Sequence, residues 1–425
     1  MRTYTEVFRA PEFTSLFATS SLQVAAATVG GLALGTSVYA QTGSPLLSAL
    51  IMFGPSIAQI VGATSLLSAA DRLPPRAAMA AVALLAGAGA AAQAIPGLPL
   101  SAIFAISVLL GVLTPLSSGA RYGLLSEILP AEGRLLGRSV LNMSVGTLQI
   151  CGFAVGGVLV TVLSSRGTLL FSAALWLLAA AGCQLGLRPR PARATGRPSL
   201  TATWRVNRVL WSSVRRRYVF LALWIPNGLI VGCEALFIAY SPRHAGLLYA
   251  FAALGMLIGD TLTGRFIPDS WRQRLGPWLR LLLAVPYLAF AVALPLPVAV
   301  TAITVASVGY AASLMLQERL VSFTPEELNG HAQGLQSAGM MAMQGVGAAL
   351  AGTAAQLTSP ATGMVIMAVA SVGVTLLLAP GLRHEPQADP VPEPAITLLP
   401  PPPRRRRKAA GGAGHHGRLA GRPGP

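Results

Sequence analysis

"YVFLALWIPNGLIVGCEALFIAY", residues 218–240, carries a single charged side chain, Glu234. Wound as an α-helix it is about 34 Å long, enough for the ~30 Å hydrocarbon core of a bilayer. Its apolar residues run on without the alternation of a barrel strand, which favours helix. A helix also satisfies its own backbone polar groups where no water is available. A carboxylate in such a setting is costly, and its presence asks for a reason.

The rest of the 425-residue chain repeats this pattern. It is 53% hydrophobic and 11% charged, whereas soluble domains carry about 25% charged residues. Apolar runs fall at about 14–39, 45–68, 77–95, 99–119, 139–163, 167–187, 218–240, 243–263, 277–294, 297–317, 331–356 and 360–380. The expected fold class is an all-α membrane protein with twelve transmembrane helices in two pseudo-symmetric six-helix bundles. The first run lacks a small-residue cleavage site and reads as a retained helix.

Arginine placement sets the expected orientation. With twelve alternating spans and both termini cytoplasmic, Arg166 and Arg243 alone among the 31 Lys and Arg residues fall outside. The net charge of +17 then follows from topology and attraction to anionic lipid. The expected location is the cell membrane, and nucleic acid is not an expected partner.

Four regions follow: an N-terminal bundle (1–187), a basic cytoplasmic linker (188–217), a C-terminal bundle (218–380) and a tail (381–425). The linker holds Trp204 and Trp211 among arginines; it reads either as a short amphipathic helix at the headgroup layer or as unstructured chain. The tail is Pro-rich, then polybasic ("PPPRRRRK"), then Gly-rich, a composition that cannot bury a core. Cys151, Cys183 and Cys233 all lie in spans and form neither a disulfide framework nor a zinc spacing.

A shift of 195 residues lays 129–158 over 324–353. Pro130 then meets Pro325, Glu132 meets Glu327 and Gln149 meets Gln344, while Gly152, Ala154 and Gly157 meet Gly347, Ala349 and Gly352. Loop acid, glutamine and small-residue cluster keep their order, as a duplication of six spans requires. The clusters "GFAVGG" (152–157) and "GAALAG" (347–352) put Gly152, Gly156 and Gly157 in span 5 and Gly347 and Gly352 in span 11. Small residues there let helices approach closely, either as generic packing or at the interface between halves.

The six-plus-six plan, the basic central loop, "ADRLPPR" after span 2 and "GFAVGG" resemble the major facilitator superfamily. Within it, "FRAPEFTSLF", "ARYGLLSEILPAEGR" and "NGLIVGCEALF" are similar to bacterial drug-efflux-like members, the transmembrane secretion effectors. The resemblance covers about residues 5–385. It implies alternating access by two rocking bundles and, in many relatives, proton-coupled export. Leu67, Pro74 and Pro75 depart from the family's loop 2–3 signature, Phe153 replaces a proline in span 5, and span 4 has no arginine at mid-depth.

Glu234 is the first candidate for proton coupling or substrate binding, and Asp260 in "LIGDTLTGR" the second. The competing reading of each is a structural acid held by an arginine or backbone donors. Gln23, Gln59, Asn142, Gln149, Asn227 and Gln344 are candidate cavity-lining residues, although polar groups in spans also serve as interhelical hydrogen bonds. Asp71, Arg72, Arg76, Arg121, Arg134 and Arg138 form a candidate cytoplasmic gate. The chain carries no P-loop, dinucleotide turn, paired-His ligand set or Ser/His/Asp arrangement. No enzyme activity, cofactor or metal is expected, and the expected partners are a small-molecule substrate, protons and lipid, with a monomer sufficient. The expected function is export of a small amphipathic or hydrophobic compound. Import of a polar metabolite, or a non-transporting scaffold or sensor, are the alternatives.

Overall fold

The computed structural model describes residues 4–70, 73–191, 200–325 and 328–382. The expected gate residues Asp71 and Arg72 and the expected tail from 383 onward lie outside the described residues. The first half consists of α1 (Phe13–Thr42), α2 (Pro45–Ala70), α3 (Pro75–Gln93), α4 (Leu100–Ile128) and a long helix, Ala131–Gly186. That long helix is bent at Ser164 (φ 66°, ψ 168°), giving α5 (131–163) and α6 (165–186).

The second half opens with a linker helix, α7 (Leu200–Ser212), and continues with α8 (Val214–Ala235), extended by a turn at Phe237–Tyr240. Next come α9 (Ala245–Thr261), which ends in a π-helical turn at Leu262–Phe266, and α10 (Asp269–Leu282), which ends in a 3₁₀ segment at Val285–Ala291. α11 (Leu296–Val308) and α12 (Ala312–Ser322) are joined by a 3₁₀ turn, and α13 (Asn329–Leu357) and α14 (Pro360–Leu378) complete the fold. These helices fall on the stretches read from hydropathy. Nine segments of the described residues are long and apolar enough to cross a bilayer.

Proline sets many boundaries. Pro45, Pro75 and Pro360 open α2, α3 and α14, where a missing N–H is no loss. Gly43 closes α1 at φ 62°, its N–H bonded to Tyr39 O at 2.8 Å, the left-handed cap that favours glycine.

The glycine contacts reveal the duplication in three dimensions. A Cβ on Gly152 of α5 would lie 3.0 Å from Thr28 of α1, and one on its repeat equivalent Gly347 of α13 would strike the Gly228 carbonyl of α8. One step along, a Cβ on Gly157 would lie 3.0 Å from Gly246 Cα of α9, and one on Gly352 would lie 2.7 Å from Leu46 Cα of α2. Thus α5 packs on α1 and α9 as α13 packs on α8 and α2. The second contact in each set crosses between the halves.

Several boundaries differ from expectation. α10 begins at Asp269, more than two turns before the expected 277, because "WRQRLGPWLR" is an amphipathic helix and not a loop. α8 begins at Val214 inside the expected linker, and the linker's Leu200–Ser212 is helical.

Candidate functional site

Glu234 lies in the last turn of α8, 6% exposed. Pro226 interrupts that helix two turns earlier, removing one intrahelical hydrogen bond. Gly228 and Gly232 let α8 close directly on α13, where added Cβ atoms would meet the carbonyls of Met343 and Gly347. Among the described residues, no arginine acts on the carboxylate. Its Oε1 accepts a hydrogen bond from the Tyr310 hydroxyl at 3.1 Å, donated from the 3₁₀ turn between α11 and α12. Tyr249 of α9 and Tyr287 of the segment after α10 lie within electrostatic reach of it. Tyr287 is fully buried, with a hydroxyl that finds no partner.

This aromatic nest sits at the seam between the halves. Tyr249 donates to Met52 Sδ of α2 at 3.4 Å and stacks on Phe153 of α5, with centroids 4.7 Å apart and 20° between planes. Around it, Tyr39 donates to Ala239 O at 3.4 Å and Ser44 to Gln356 Oε1 at 2.8 Å. Backbones cross at Gly157–Gly246 and Gly352–Leu46. All of these contacts lie toward the arginine-poor end, so that end of the seam is closed.

The other polar candidates are scattered. Asp260 is exposed in the last turn of α9, immediately before the π-helical turn. Gln23 accepts from Ser117 at 3.2 Å while its Nε2 is buried without a partner. Asn227 donates to Leu223 O at 2.8 Å and Ser313 at 2.9 Å, joining α8 to α12. Asn142 accepts from Tyr122 at 3.1 Å. Gln149 is exposed, and Gln59 and Gln344 are half-buried.

The described gate candidates make contacts within the first half. Arg76 binds Gln184 at 2.8 Å and Leu187 O at 3.4 Å, tying α3 to the end of α6. Arg134 donates to Leu129 O at 3.3 Å. Arg121 and Arg138 both stand over the Tyr122 ring, at 4.9 and 5.1 Å.

The sequence reading missed Glu12, Glu127, Arg190 and Arg216 at the arginine-rich end. Glu12, in the left-handed conformation (φ 69°), accepts two hydrogen bonds from Arg190, at 2.8 and 3.0 Å, and one from the Arg188 N–H at 2.9 Å. Arg190 also reaches Glu127 at 3.2 Å, so α1, α4 and the end of α6 are stapled together. Burial raises the Glu12 pKa, but the two arginines outweigh it and hold the carboxyl below its ordinary 4.5. Arg216, 3% exposed, donates to Val209 O, Leu210 O and Phe323 O at 3.0–3.2 Å, clamping α7 to α8 and the end of α12. The one sequence signal for these was a charge flanking a helix end, shared by many arginines.

The fold has many solved counterparts. A nucleoside transporter, NupG, matches with TM-score 0.71 and 14% identity, over 88% of this chain and 100% of its own. A POT family transporter in complex with a thioalcohol-conjugated peptide matches with TM-score 0.68 and 13% identity, over 88% and 96%. A bacterial homolog of the human lysosomal transporter Spinster, in an inward-facing and unoccupied conformation, matches with TM-score 0.67 and 14% identity, over 87% and 95%. No curated protein is similar in sequence. The family model for the Major Facilitator Superfamily matches residues 15–320. With helices paired α5 on α9 and α13 on α2 across two related halves, this chain is a transporter and belongs to the Major Facilitator Superfamily.

Proposed function

We propose that the chain exports a small amphipathic or hydrophobic compound across the cell membrane by alternating access, driven by inward proton flow. The observation that carries this reading is Glu234: a buried carboxylate bonded to a neutral tyrosine and not locked to an arginine. An acid so placed can take up and release a proton without breaking an ion pair. Tyr249, beside it, touches Met52 and Phe153 of the other half. A change of charge at Glu234 therefore falls next to the contacts that hold the seam shut. With the arginine-rich end in the cytoplasm, the closed end of the seam faces outward, as alternating access requires of a transporter poised to take substrate from the cell. Export rather than uptake is supported by the likeness of "FRAPEFTSLF" and "NGLIVGCEALF" to efflux-type sequences.

A second reading, uptake of a polar metabolite, draws on the likeness to a nucleoside transporter and to a peptide-bound transporter. Proteoliposomes with a fluorescent amphipathic cation such as ethidium separate the two. An antiporter accumulates dye when the lumen is the acid side, and a protonophore abolishes this. Accumulation only when the outside is acid supports the second reading, and flux indifferent to the gradient removes the proton from the mechanism.

A further inference from the structure

Among the described residues, two arginines of the second half lie within electrostatic reach of each other, and no carboxylate acts on the buried one. Arg280 of α10 is 9% exposed. Its Nε donates to Gly276 O of its own helix at 3.3 Å, and its Nη1 is buried with no partner. The charge that acts on it is another cation, Arg319 of α12. Arg319 in turn donates through Nη1 to Leu382 O at 2.6 Å, beyond the end of α14. Glu318, the adjacent acid, is exposed on a different side, lining a cavity of about 520 Å³ with Thr263, Gln317 and Gln333.

A guanidinium cannot escape burial by losing its proton. Desolvation and repulsion by Arg319 therefore stand uncompensated unless an anion enters. The same helix indicates where that anion comes from. Trp271 and Trp278, 58% and 70% exposed, are seven residues apart and so share a face of α10. Exposed tryptophans on a membrane-embedded helix mark the headgroup layer. Arg280 lies within one turn of Trp278, and its side chain bends back toward Gly276, toward that layer.

We propose that Arg280 and Arg319 form a binding site for the phosphate of an anionic lipid headgroup, between α10, α12 and the turn Pro380–Leu382 that follows α14. Phosphate presents oxygens in the geometry that a guanidinium fork matches. Its single negative charge, placed between two cations that otherwise repel, attracts both, so the occupied site holds three separate segments of the second half in register.

The test is thermal unfolding of the purified full chain in neutral detergent, titrated with phosphatidylglycerol, phosphatidylcholine or inorganic phosphate. Phosphatidylglycerol is expected to raise the unfolding temperature and phosphatidylcholine is not. Arg280→Gln and Arg319→Gln are each expected to raise the half-maximal phosphatidylglycerol concentration about tenfold, while Arg243→Gln, at the opposite end, leaves it unchanged. Without added lipid, Arg280→Gln is expected to be at least as stable as the wild type, because it removes an uncompensated charge. A purely structural arginine would show the reverse. If either variant fails to fold, native mass spectrometry of the delipidated wild type decides: retention of phosphatidylglycerol over phosphatidylcholine supports the site, and equal retention overturns it. Equal stabilisation by both lipids overturns it as well. Stabilisation by inorganic phosphate to the same extent assigns the site to a soluble anion and overturns the lipid.

Discussion

The Tyr310 hydroxyl donates to Glu234 Oε1 at 3.1 Å, joining the turn between α11 and α12 to the last turn of α8. A tyrosine stabilises a charged carboxylate while remaining able to accept from a protonated one. An arginine in its place would fix the charge. Tyr310→Phe keeps the ring and removes the bond. It is expected to lower gradient-driven dye transport several-fold and to displace its pH profile, with dye binding in the absence of a gradient unchanged. Dye accumulation and equilibrium binding on the same preparation check this.

The seam between halves depends on close backbone crossings. A Cβ at Gly246 would lie 2.6 Å from Gly157 Cα and 2.7 Å from Phe153 O, so Gly246→Val forces α5 and α9 apart. Closure is read directly by a short bifunctional maleimide crosslink between Ser44→Cys and Gln356→Cys, whose native side chains are hydrogen-bonded at 2.8 Å. Crosslinking is expected to be rapid in the parent and at least about tenfold slower with Gly246→Val, the factor for 1.4 kcal/mol against the closed state. Gly31→Val, with open space around it, leaves the rate unchanged.

Much of the fold was legible because hydrocarbon imposes it. An uncharged run of some twenty residues has few alternatives, and the shifted repeat singles out Gly157 and Gly352 as equivalent positions. The partners themselves were not legible, since a small residue announces proximity without saying to what. Glu234 stood out as a charge in an apolar run; Tyr310 did not, because a tyrosine in "SVGYAASL" reads as bulk. Arg280 was indistinguishable from the loop arginines around it, as "WRQRLGPWLR" has the charge density of a connector. Glu12 looked like one more polar residue before a span.

The Glu12 staple gives the pH-dependent expectation. Its carboxyl is held below the ordinary 4.5 in the folded state, so its contribution to stability is present above that value and is lost as the pH falls through the lower, folded one. Glu12→Gln is expected to cost about 1–2 kcal/mol at neutral pH. Thermal unfolding should show the wild-type and variant curves converging on acidification.

Arg216 lies beneath the linker helix, where Trp211 stacks on Phe220 and Trp224 at 6.0 and 5.5 Å. Arg216→Gln leaves three carbonyls short of a donor, and a loss of about 2–4 kcal/mol is expected. Trp211→Ala is expected to release α7 with a smaller loss. Protease susceptibility of the linker, compared with the unfolding temperature, distinguishes local release from global destabilisation.

In the proposed mechanism Glu234 is the group that exchanges protons. The direct measurement is the charge displaced by a pH jump on proteoliposomes adsorbed to a solid-supported membrane, with no substrate present. The wild type is expected to give a saturable transient, and Glu234→Gln, folded to the same unfolding temperature, none. An undiminished transient from Glu234→Gln would contradict the mechanism.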